Sequence, residues 1–161
     1  MTEAIIRAAT PADLPVILEL IRELATYERA DDQVISTVDD LSAALFDTAQ
    51  PAVWCHLVED GSGIAGLALW FLNFSTWTGH HGIYVEDLVI RKAARGKGYG
   101  RALIAHLAQI CTSRGYQRID LSVLDWNLPA IDFYRSLGAV HQADWDGYRL
   151  EAQALVALSS K

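Results

Sequence analysis

One segment constrains the fold more than any other: Arg91-Lys92-Ala93-Ala94-Arg95-Gly96-Lys97-Gly98-Tyr99-Gly100-Arg101. It stands between an apolar stretch of strand character, Gly82 to Ile90, and a helical stripe of Leu103, Ile104, Leu107 and Ile110. The chain here is therefore strand, basic glycine-rich turn, helix. Five of the 13 basic residues fall in this run, and glycines at 96, 98 and 100 let backbone N–H groups come close to a ligand. With the positive dipole of the helix start added, the turn suits a pyrophosphate; a flexible basic turn is the plainer reading. Two familiar phosphate motifs are excluded. A P-loop needs Gly-Lys-Ser/Thr, and Gly96-Lys97 is followed by Gly98. A dinucleotide fingerprint from Gly96 meets Arg101 where glycine is required, and one from Gly98 meets Leu103.

Charge divides along the chain. Residues 1–90 hold three basic and 14 acidic residues, a balance of -11; residues 91–161 hold ten and six, a balance of +4, for a total of -7. The overall sign argues against sequence-independent nucleic-acid binding. The division reads either as two ligands of opposite charge or as solvated helix faces. No apolar run exceeds Gly63 to Leu72, too short to span a bilayer, and Met1 to Ile5 lack the pattern of a signal peptide, so a cytoplasmic address and reduced Cys55 and Cys111 are expected.

With 161 residues, no linker and no repeat, one domain over 1–161 is expected. A first strand runs Ala4 to Ala8; Thr10-Pro11 then caps a helix with Leu14, Ile17, Leu18, Ile21 and Leu24 at helical spacing. A short helix with Leu41, Leu45 and Phe46 follows, then a hairpin of Val53 to Val58 and Ile64 to Leu72. Beyond the Gly82 strand and the Gly98 helix come a strand at Arg118 to Leu124, a helix at Pro129 to Leu137, and a closing hairpin of Ala139 to Trp145 with Tyr148 to Val156. The class is α+β, a mixed, mostly antiparallel sheet with helices on both faces.

Arg95-Gly96-Lys97-Gly98-Tyr99-Gly100 matches the Arg/Gln-x-x-Gly-x-Gly/Ala signature of the GNAT acetyltransferases. The flanks strengthen the match: Tyr84 to Ile90, Val123 to Asn127, Phe133 to Ala139, and Leu24 to Glu28 near the start. Across nearly the whole chain they resemble the diamine (spermidine/spermine) acetyltransferase branch, with Ser75-Thr76-Trp77 closest to its thialysine-acetylating type. The resemblance implies a GNAT fold with about six to seven strands, direct acetyl transfer from acetyl-CoA to a primary amine, and a homodimer.

For the cofactor it implies Leu88, Val89 and Ile90 as an edge for the pantetheine arm, Arg95 to Arg101 (Arg95, Gly96, Lys97, Gly98, Tyr99, Gly100, Arg101) for the phosphates, and Asn127, Leu128, Pro129 and Ala130 on the other side. Tyr134 resembles the general acid and Glu86 the group that accepts the amine's proton. Core packing for Tyr134 and a solvated strand end for Glu86 are the plainer alternatives. Glu86 and Asp87 are adjacent on a strand, so they face opposite ways unless a bulge intervenes. Tyr27, Glu28, Trp77, Asp120, Leu121 and Asp146 are the implied amine contacts; Tyr27-Glu28 also reads as a helix end and Asp146-Gly147 as a turn. Thr76 stands where polyamine-specific members carry an acid, which favours a lysine-like amine over spermidine. His80-His81 and the two cysteines lack metal-ligand spacing, so no metal is expected. A CoA-binding module without turnover, or a protein N-acetyltransferase, would share much of this pattern.

Overall fold

The structure, a computed structural model, describes residues 4–160. Its first helix shows how local chemistry sets the elements. Arg7, on strand β1 (Ile5–Ala8), reaches Asp13 at 2.8 Å through each of two nitrogens, and Asp13 in turn accepts from the Thr10 backbone and hydroxyl. That capping box closes a 3-10 turn, Pro11–Asp13, which leads into α1 (Leu14–Tyr27). A second box, Thr37 with Asp40, starts α2 (Val38–Leu45). Strands β2 (Val53–Asp60), β3 (Gly63–Ser75) and β4 (His80–Ile90) form an antiparallel meander. After α3 (Tyr99–Ser113), β5 (Ile119–Leu121) joins β4 in parallel, giving the order β1-β2-β3-β4-β5.

The sheet is covered on both faces. Ile17, Leu20 and Leu45 from α1 and α2 pack on Leu57, Leu67, Leu69 and Val89. On the other face Leu103, Leu107 and Cys111 of α3 pack on Val58, Ala68, Trp70, Ile83 and Val85. All of this lies in one compact unit, Met1–Ser122; Val123–Lys161 forms a second. The second unit contains α4 (Leu128–Ser136), capped by Asn127 with Pro129 in its first turn, and α5 (Gln153–Ser159).

Two expectations are corrected. Among the described residues the sheet has five strands, not six to seven, and β5 is three residues long. The closing hairpin is absent: residues 139–152 carry no strand and α5 takes in the last four residues of the expected second arm. Trp145, Tyr148 and Leu150 bury little, for Trp145 is 70% and Tyr148 94% exposed, and a hairpin without a covered face gains little over its ordering cost.

Candidate active site

Strands β4 and β5 part company early. They pair only from Ile83 to Val85 against Ile119 to Leu121. Beyond that point β4 keeps β3 on one side, with Leu88, Val89 and Ile90 opposite Ala68, Leu67 and Gly66. On its other side no strand runs alongside among the described residues. Such an edge can take an extended ligand like an added strand. Its last carbonyl, that of Ile90, accepts from Arg95 Nε at 3.2 Å.

The edge leads into the basic turn. Gly96 (φ 79°) and Gly98 (φ 83°) are left-handed, and an added Cβ at either would meet nothing within 4 Å, so the backbone angle is what requires glycine. Gly98 is the N-cap of α3, with Tyr99, Gly100 and Arg101 in its first turn, whose N–H groups have no helical partner. Those groups and the helix dipole make an anion site. The cations are partly answered from within: Arg91 donates to Glu19 at 2.9 Å and to Glu23, and Lys97 sits 3.3 Å from Asp60. Part of the charge division is thus internal pairing between the two halves of the chain. Arg95 lies over the Tyr27 ring, 5.0 Å from its centroid.

At Glu86 the ladder slips. Trp70 pairs with Val85 and Leu69 with Asp87, which leaves Glu86 as the extra residue of a β-bulge. The bulge changes the phase of the strand. Ile83 and Val85 pack towards α3, whereas Val89 packs towards α1, so Asp87 turns to the α1 face with Val89. Simple alternation would have sent it the other way. The charges of Glu86 and of Glu28, just past the end of α1, act on Asp87 there. Burial first, then Glu86 and Glu28, push its carboxyl up to about 6. Burial also raises Glu28. No cation or hydrogen-bond donor offsets the Asp87 charge among the described residues. Tyr27, Glu28, Glu86 and Arg95 are therefore brought together, with Asp87 as a member that the sequence reading missed. Its only signal was the Glu86-Asp87 pair itself.

Other expected residues are held differently. Asp120 accepts from Asn73 Nδ2 at 2.7 Å and Arg118 Nε at 2.8 Å, so its carboxylate is engaged within the fold. Leu121 packs beside the α3 core. Trp77, 88% exposed, lies in the β3–β4 turn beyond the Ser75–His80 pair, roughly 20 Å along β4 from Glu86 at ~3.3 Å per residue. In the second unit Asn127 is buried and its side chain accepts from the Ala130 N–H at 3.3 Å, which fixes the start of α4. Leu128 is exposed there. Tyr134, on the same helix, stacks edge-on with Phe133, and burial pushes its hydroxyl up to about 12. Asp146 is exposed in the irregular segment before α5. Among the described residues no three His, Cys, Asp or Glu side chains are grouped to hold a metal.

Comparison with known proteins identifies the family. The family model described as "Acetyltransferase (GNAT) family" matches residues 15–139. The chain is 36% identical to the thialysine N-epsilon-acetyltransferase of Sus scrofa, over all of both chains. It is 29% identical to the L-ornithine N5-acetyltransferase NATA1 of Arabidopsis thaliana, over 95% of this chain and 86% of that one. Among solved structures, an integron cassette protein from the mobile metagenome of V. cholerae superposes with a TM-score of 0.82 at 26% identity, over 100% of this chain and 99% of that chain. A matched model over more than half the length and relatives aligned end to end leave one conclusion: this chain belongs to the GNAT acetyltransferase family.

Proposed function

We propose that the protein transfers the acetyl group of acetyl-CoA to the side-chain amine of a basic amino acid of the thialysine, lysine or ornithine class, with diamines and polyamines as poorer acceptors. The observation that carries this is the meeting of Glu28, Glu86 and Asp87 beside the open edge of β4, where no cation offsets the Asp87 charge among the described residues. Three carboxylates attract an ammonium group, and it must shed a proton before it can attack. A carboxyl near 6 accepts that proton at neutral pH more readily than an ordinary aspartate, and the Glu86 carboxylate beside it helps to hold the cation. Relatives named for thialysine and ornithine support an amino-acid acceptor, and so does Thr76 in place of an acid.

Acetyl-CoA supplies an activated thioester, and the residues present suit it: the edge Leu88 to Ile90 for the pantetheine arm and the Gly96–Gly100 turn for the pyrophosphate. In the reaction a bond forms between the amine nitrogen and the acetyl carbon as the C–S bond breaks. The ammonium gives one proton to the Glu86 and Asp87 carboxylates before it attacks. The departing sulfur takes a proton from the Tyr134 hydroxyl, which is protonated at neutral pH, and the second proton lost by the nitrogen as the amide forms restores that hydroxyl. As partner we propose a second copy of the chain: β5 is an edge strand, and Val140, Trp145, Tyr148, Leu150 and Leu155 of the second unit are exposed apolar surface.

Incubation with acetyl-CoA and thialysine, lysine, ornithine, putrescine or spermidine, with release of free thiol as readout, tests the reaction. Turnover on the amino acids is expected to exceed that on spermidine. Binding of CoA without turnover on any amine would make the protein a non-catalytic acyl-CoA module instead. Tyr134→Phe is expected to lower the rate by about 10²-fold or more with CoA affinity retained. Light scattering during gel filtration reads the copy number.

A further inference from the structure

We infer that Asp60 is a positioning residue for acetyl-CoA: from the end of β2 it holds the glycine turn in the shape that receives the pyrophosphate. This rests on the assignment of that turn to the cofactor, proposed above. Between Gly96 and Gly100 every second residue is glycine, so Lys97 and Tyr99 are the only side chains by which the turn can be anchored. Both go to one atom. Tyr99 donates its hydroxyl to Asp60 Oδ2 at 2.9 Å, and Lys97 Nζ donates to the same oxygen at 3.3 Å. The other oxygen, Oδ1, accepts from the Ser62 backbone N–H at 2.8 Å, which fixes the carboxylate's own orientation. The Asp60 side chain is only 8% exposed. Three donors, led by the Ser62 N–H, hold its carboxyl down to about 2, so it remains an anion throughout the working range of an enzyme.

The consequence concerns what is left for the ligand. Three glycines in five residues, two of them left-handed, give the unbound turn conformational freedom that is lost when phosphate oxygens are bound. Fastening Lys97 and Tyr99 to the sheet removes part of it beforehand, so backbone N–H groups meet the phosphates already arranged. It also occupies the Lys97 charge. Lys97 then acts as a strut, and phosphate contact falls to the backbone and the remaining cations.

The test measures CoA affinity by calorimetry, alongside steady-state kinetics, for Asp60→Ala and Tyr99→Phe. Asp60→Ala is expected to weaken CoA binding and raise KM for acetyl-CoA about tenfold, with kcat within about twofold and KM for the amine unchanged. Tyr99→Phe, which removes one hydroxyl and nothing from the sheet, is expected to weaken CoA binding about threefold. It keeps the test sharp if Asp60→Ala fails to fold. Equal or tighter CoA binding by either folded variant overturns the inference, because Asp60 would then be idle or would be restraining a lysine that binds phosphate itself. A loss confined to kcat overturns it too. Failure of the unaltered protein to bind CoA refutes the assignment of the turn, and the inference with it.

Discussion

The two faces of the sheet each hold a half-buried titratable side chain, and they treat it oppositely. On the α3 face His56 accepts from the Trp70 indole N–H at 3.0 Å, inside a stack where Trp54 and Trp70 lie 4.8 Å apart. Burial, then the charges of His106 and Arg114, hold His56 down to about 4, so it is neutral and satisfied. On the α1 face Asp87 has two carboxylates for neighbours and no donor among the described residues. One face spends its polar group on order, whereas the other leaves a charge unsatisfied where a cation would relieve it. An unfavourable charge kept beside an open edge points to a ligand.

Substitutions can break this contrast. The largest effect is expected from Asp87→Asn, which removes the elevated carboxyl and lowers kcat/KM by about 10²- to 10⁴-fold. The acid limb of the pH profile, near 6 in the unaltered enzyme, should move or vanish with it; an unchanged profile would leave proton transfer to Glu86 alone. Next is Trp70→Ala, on the ordered face. Trp70 is 1% exposed, and its loss should cost about 3–5 kcal/mol in chemical unfolding.

The third effect has the opposite sign. Because folding raises Asp87 from 3.8 to about 6, its ionisation penalises the fold fully above pH 6 and not at all below pH 4. Asp87→Asn should therefore stabilise the protein by about 2–3 kcal/mol at pH 7.5, a gain that fades as pH falls to 4. The smallest concerns His56, whose folded value lies below the ordinary 6.5. Its contribution is present above pH 6.5 and drains away towards pH 4, so His56→Gln should flatten the acid decline in Tm across that window.

Much of this was legible from residue spacing. The helical stripe from Leu14 to Leu24, the apolar run Val53 to Val58 and the glycine turn are each visible in the residues themselves, and the structure returns them as α1, β2 and the start of α3. Asp87 was not legible. Its direction depends on the slip between Leu69 and Trp70, a property of the partner strand that no pattern within Gly82 to Ile90 encodes. Nor does a charge count reveal that Arg91 and Lys97 are engaged by Glu19, Glu23 and Asp60, each at least 37 residues distant. The segment from Ala139 to Val156 misled for a third reason. Alternating apolar residues describe a strand only where something covers one face, and these are exposed.

The bulge at Glu86 has a bearing on how such a chain could have been assembled. A residue inserted into a regular strand normally reverses the facing of everything after it. Here Trp70 and Leu69 pair with the residues on either side of Glu86, so removing it would leave Val85, Asp87 and Val89 where they are, in an unbroken ladder. A carboxylate could thus be gained or lost at this position while the core on both faces kept its partners, which makes the site separable from the fold that carries it.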